Sequence, residues 1–134
     1  MIRLLAAALV LFSTLAIAAT PQEALVEKWY AALAAIDRSA FETILADDAL
    51  ISLGDLDIEQ SKKEFIESLD EWQDAMKDAS IRHKVEETTA DSISVIVCYT
   101  FPDNEALGRE VFRFSGEKIS ESVQSTIGDT CAEY

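Results

Sequence analysis

The sequence has 134 residues, 49% of them hydrophobic and 27% charged, with 25 acidic against 11 basic side chains and a formal net charge of −14. That size holds one domain with one core. The charge excludes nucleic acid and anionic membrane surfaces as partners, because both need a basic face; the acidity reads as a solvated, self-repelling surface.

In chain order, Arg3, the apolar run Leu4–Leu15 and the small-residue end Ala16-Ile17-Ala18 resemble a secretory signal peptide. The run is short for a bilayer span, so residues 1–18 are expected to be removed. Residues 19–134 then form a single periplasmic or secreted domain, with no membrane association once the signal is gone.

Two amphipathic helices are expected between Thr20 and Ala49. Thr20-Pro-Gln-Glu23 and Ser39-Ala-Phe-Glu42 both fit a capping box, in which a hydroxyl and a glutamate satisfy each other's backbone N–H groups. Pro21 suits a first turn, and Leu25, Trp29, Leu33 and Ile36 form one stripe at helical spacing. Leu50–Leu53 reads as a brief strand ended by the turn at Gly54-Asp55. Ser61-Lys-Lys-Glu64 is a third capping box, opening a helix with Phe65, Leu69, Trp72 and Met76 on one face.

Beyond Asp78 the period drops to two. Ile81, His83 and Val85 alternate with Arg82, Lys84 and Glu86, as a half-buried strand requires. Ile93, Val95, Val97, Tyr99 and Phe101 share one face of the next strand, while Ile96 and Cys98 put apolar atoms on the other. Such a strand belongs mid-sheet with something covering its back. Glu110–Phe114 and Lys118–Ile127 give two more strands around Ser115-Gly116-Glu117. The expected fold class is α+β: three N-terminal helices packed in the concave face of a curved, mainly antiparallel sheet, leaving a cone with a mouth at one end.

Cys98 and Cys131 are an even pair in a chain read as exported, which favours a disulfide. A buried free Cys98 with an unrelated second thiol is the alternative.

Lys28-Trp-Tyr-Ala-Ala-Leu33, Asp37, Ile44-Leu-Ala-Asp-Asp-Ala49, and Val111-Phe-Arg-Phe114 followed by Gly116 together resemble the nuclear transport factor 2-like superfamily. Its relatives include ketosteroid isomerases and polyketide cyclases. The resemblance spans the domain and implies a cone-shaped, cystatin-like roll. In the isomerases an aspartate shuttles the proton, while a tyrosine and a protonated acid stabilise the enolate. By resemblance the tyrosine position falls on Trp29, the shuttle on Leu53 and the acid on Glu110. Leucine cannot carry a proton, so the isomerase set is mostly absent and no catalytic residue is assigned.

No cofactor or metal is implied. Asp55-Leu-Asp57-Ile-Glu59 starts like a calcium loop, but Gln60 and Ile66 stand where glycine and glutamate are needed. His83 is the only histidine, which rules out a multi-histidine centre. The expected function is binding of a small apolar ligand in a pocket between sheet and helices. Its candidate lining residues are Trp29, Leu53, Trp72, His83, Glu110 and Phe112, with Glu110 and His83 as polar anchors. Two alternatives stand beside it. One is an interaction domain with a filled core that forms a homodimer through the outer sheet face. The other is a lyase, isomerase or cyclase using Glu110 or His83 for proton transfer.

Overall fold

The computed structural model describes residues 20–134; the signal-peptide reading of residues 1–18 lies outside them. Helix α1, Pro21–Ala35, starts at Thr20, whose hydroxyl accepts from the Glu23 N–H at 3.1 Å. It ends where Ile36 turns into the left-handed region at φ 54°. That turn delivers Asp37, not Ser39, to the cap of α2, Arg38–Ile44, and the Asp37 carboxylate accepts from the Ala40 N–H at 3.0 Å. The reciprocal capping box is complete only at Ser61 and Glu64, opening α3, Lys62–Ala75.

α2 is shorter than its sequence suggests. Leu45–Leu53 is strand β1, so the Ala46-Asp-Asp-Ala49 run that reads as helix is extended instead. The reason is tertiary: β1 is a central strand, pairing antiparallel with β2, Ile58–Ser61, on one side and parallel with β6, Lys118–Gly128, on the other. Lys62 reinforces the change of direction, its ammonium donating to the Glu42 and Leu45 carbonyls at 2.8 and 3.2 Å. Lys118 donates to the Thr43 carbonyl at 2.6 Å. Both lysines satisfy acceptors that the end of a helix leaves without partners.

A 3-10 turn, Gly54–Leu56, joins β1 to β2. β3 spans Ser80–Thr88, β4 Ser92–Thr100 and β5 Glu105–Ser115, the last starting five residues earlier than expected. The six strands run in the order β2-β1-β6-β5-β4-β3, antiparallel throughout except for β1 against β6. Register shifts that leave extra residues on β1, β3 and β6 mark bulges, which bend a sheet. At the β5–β6 turn Gly116 adopts φ 60°, a conformation that penalises a side chain.

The helices lie against one face of this sheet, as the α+β reading requires. The core centres on Trp29. Its ring stacks on Phe65 at 5.1 Å and meets Phe41 and Phe112 edge-on, each at 5.2 Å. On β4, Ile93, Val95, Val97 and Tyr99 join this core, while Ile96 and Cys98 point to the opposite face. There they form a second cluster with Leu107 and Cys131. Cys98 and Cys131 are disulfide-bonded, with Cα atoms 5.8 Å apart.

Candidate functional site

The aromatic packing around Trp29 fills only one end of the cone. Towards β2 a cavity of about 550 Å³ remains, open to solvent on one side. Its walls are apolar. Ile51 and Leu53 come from β1, Phe65, Leu69 and Trp72 from α3, and Tyr99 and Phe101 from β4 and its end. Leu56 and Ile58 stand at the mouth, 66% and 43% exposed. Trp72 is fixed by donating its indole N–H to the Leu33 carbonyl at 2.9 Å. Tyr99 and Phe101 stack in parallel, and Trp72 meets both edge-on. This is an organised aromatic wall, because each ring is held by another ring or by backbone.

One carboxyl group is buried in the lining. Strand alternation points Glu110 inward together with Phe112, and only 2% of it is exposed. Its two oxygens accept from the Tyr30 hydroxyl at 2.7 Å and the Ser122 hydroxyl at 2.6 Å. Burial raises its pKa above the usual carboxylate range, and the Ser122 and Tyr30 hydrogen bonds pull the other way. Tyr30 is raised well above an ordinary phenol, first by burial and then by the neighbouring carboxylate, so it stays protonated and donates. Burial likewise lifts Tyr99, with Glu110 adding to the effect. The Trp29 indole N–H is buried and has no hydrogen-bond partner among the described residues. A buried donor left unmade costs on the order of 1–3 kcal/mol.

Four of the six residues proposed from sequence line the cavity: Trp29, Leu53, Trp72 and Glu110. The other two do not. Phe112 is completely buried at the packed end, edge-on to Trp29 and Tyr30. His83 lies across α1, its ring stacked on Tyr30 at 4.3 Å and its Nε2 2.9 Å from the Glu27 carboxylate. His83 therefore holds helix to sheet at the outside of the cone. It fails as a pocket anchor because β3 is the edge strand, and its inward side meets α1 rather than the hollow.

Two participants escaped the sequence reading. Tyr30, next to Trp29 but about a third of a turn away from it on α1, is the residue that reaches Glu110. Ser122 completes the triad from β6. Strand alternation could have suggested Ser122, since it pairs directly across from Phe112; nothing local could have matched Tyr30 to a partner 80 residues away.

No protein-family model matches the chain, and no curated protein matches it in sequence. Solved structures do share its fold. A candidate ketosteroid isomerase from Kribbella flavida superposes with a TM-score of 0.66 at 16% identity, over 81% of this chain and 78% of that one. IdmH, a candidate polyketide cyclase from Streptomyces antibioticus, gives 0.68 at 14% identity, covering 81% and 93%. A Mycobacterium tuberculosis epoxide hydrolase of the LEH-like type gives 0.61 at 12% identity, covering 79% and 82%. At these identities the likeness is one of fold: the chain has the nuclear transport factor 2-like fold, here closed by a disulfide.

Proposed function

We propose that this chain is an exported domain that binds a small apolar molecule in the hollow between α3 and the sheet, with the ligand's polar atom at the Glu110 end. The observation that carries the reading is the cavity itself. Its volume of about 550 Å³ falls within the ~300–1,000 Å³ typical of small-molecule sites. A filled core would instead have continued the aromatic packing of Phe41, Phe65 and Phe112 through to the mouth. The names given to proteins of the same fold, isomerase, cyclase and hydrolase, point to small organic molecules as the class of ligand.

Binding is favoured over isomerisation by what surrounds Glu110. Both its oxygens are engaged by hydroxyl donors, and Leu53 lines the cavity where the resemblance puts the proton shuttle. A ketone bound in the hollow would meet no free base to carry a proton away. Export rests on the apolar start of the sequence and on the disulfide, a bond that persists in oxidising compartments.

The test is titration with a neutral, polarity-sensitive dye such as Nile red. Saturable one-to-one binding that quenches tryptophan fluorescence is expected, and Leu53→Trp, which fills the hollow from its floor, should abolish it. A dye that fails to saturate, or that binds Leu53→Trp unchanged, removes the reading. Mass spectrometry of the protein from the native envelope fraction tests export; an intact residue 1–18 segment there would refute it.

A further inference from the structure

The lining of the hollow is one-sided in charge. Among the described residues that form it there is no lysine, arginine or histidine, and its charged side chains are two acids, Glu110, which is buried, and Glu71, which is exposed. Glu110 is the unusual one. A buried carboxylate is ordinarily paired with a cation, yet no ion pair among the described residues involves it. Its partners are the Tyr30 and Ser122 hydroxyls, one donating to each oxygen. Donated hydrogen bonds favour the charged form and burial opposes it. The chain supplies no positive charge to decide the balance.

Much of the remaining wall is aromatic. Trp72 stands nearly perpendicular to Tyr99 and Phe101, at 85° and 84°, with ring centroids 5.8 and 6.2 Å away, so the wall turns a corner. An aromatic face carries a negative quadrupole and attracts a cation, most strongly where water is excluded. An anion in the same place would be repelled by the rings and by the carboxyl group alike.

We propose that the ligand of this hollow is a cation, an apolar amine or quaternary ammonium compound whose charged head is the missing partner of Glu110 and whose hydrocarbon body fills the rest. This rests on the pocket reading above and narrows it to one charge class. A positive charge seated beside Glu110 favours its carboxylate form and offsets the penalty of burying that charge. Tyr30 and Ser122 hold both oxygens ready for it. Neutral molecules of the same shape enter more weakly, and carboxylates are excluded.

Three probes of matched shape test this: phenyltrimethylammonium, its neutral carbon isostere tert-butylbenzene, and the anion 4-tert-butylbenzoate. Each is titrated into the full chain by tryptophan fluorescence at high ionic strength, which screens the acidic surface at large. The cation should bind at least ~30-fold more tightly than the isostere, the scale on which a buried charge pair acts, and the benzoate should not bind. Glu110→Gln should remove the cation's advantage and leave tert-butylbenzene binding unchanged. Equal affinity for cation and isostere, saturable binding of the benzoate, or a cation preference that survives Glu110→Gln each overturns the proposal. If that variant does not fold, the comparison of the three probes on the wild-type chain decides alone. Saturable Nile red binding without any preference for the cation would sink the charge assignment and leave the pocket reading standing; no saturable binding of dye or probes would sink both.

Discussion

The two ends of the cone are built from the same residue types and differ in how completely they are filled. At one end Trp29, Phe41, Phe65 and Phe112 contact one another ring to ring, and none exceeds 8% exposure. At the other, Trp72, Tyr99 and Phe101 contact one another as a wall, with open space in front of them. Apolar composition alone does not distinguish core from pocket. The distinction lies in whether a second wall closes within van der Waals reach, and here β2 and the Gly54–Leu56 turn hold the far wall off.

The contrast is broken most severely at the packed end. Phe112→Ala removes the ring that abuts both Trp29 and Tyr30, and should cost about 3–5 kcal/mol in urea unfolding, with a residual cavity that the neighbours cannot close. A conservative substitution at the hollow end should be far milder. Trp72→Phe keeps an aromatic wall and loses one indole hydrogen bond, so a loss of about 1 kcal/mol is expected. Comparable losses at the two sites would mean that the hollow is closed in solution.

Removing the disulfide comes next in size after Phe112→Ala. Cys98→Ala/Cys131→Ala should lower stability by about 3 kcal/mol on the chain-entropy account while leaving the helices and the sheet in place. Far-UV circular dichroism and a denaturant midpoint taken together check both halves of that statement.

Glu110 links the two ends and gives a pH signature. Its folded pKa lies above the unfolded value, so the native state binds its proton more tightly than the unfolded chain does. The resulting stabilisation is complete below the ordinary carboxylate pKa and fades as pH rises through the elevated folded value. Wild type minus Glu110→Gln should therefore show stability falling with increasing pH across that window. A flat difference curve would mean that the Tyr30 and Ser122 hydroxyls fully offset burial. The smallest effect is expected on catalysis. Turnover of a 5-ene-3-ketosteroid should be undetectable in the wild-type chain, because Leu53 offers no base; turnover abolished by Glu110→Gln would reverse that expectation.

Locally encoded features were legible in the sequence. Thr20 and Ser61 cap the helices they were expected to cap, because a cap is decided within four residues. The two-sided burial of β4 follows from alternation with Ile96 and Cys98 interposed, and the inward aim of Glu110 follows from Phe112 two residues on. What failed was decided by distant partners. Residues 45–49 carry helical composition but are drawn into the sheet by β2 and β6. Ile58–Ser61, between the acidic run Asp55–Glu59 and the cap of α3, has no apolar alternation of its own and becomes a strand because β1 offers it an edge. His83 alternates correctly, yet which element faces it depends on where α1 crosses. The Tyr30–Glu110–Ser122 triad draws on a helix and two strands, and no spacing in the sequence announces it.

The parallel pairing of β1 with β6 has a bearing on how the chain reaches this state. β1 is the first strand in the chain and β6 the last of the six, so this ladder joins residues far apart in sequence. Such contacts form slowly, since loop-closure entropy is lost before any pairing energy is gained. The β3–β6 meander and the caps of α1 and α3 can form from near neighbours. The floor of the hollow cannot, because Ile51 and Leu53 are fixed only when Ser122 and Gln124 arrive beside them. Until then β1 would present an unpaired apolar edge, the kind that associates with other chains. The part of the molecule proposed to bind a ligand is thus the part expected to fold last, and a ligand present during folding would act on that final step.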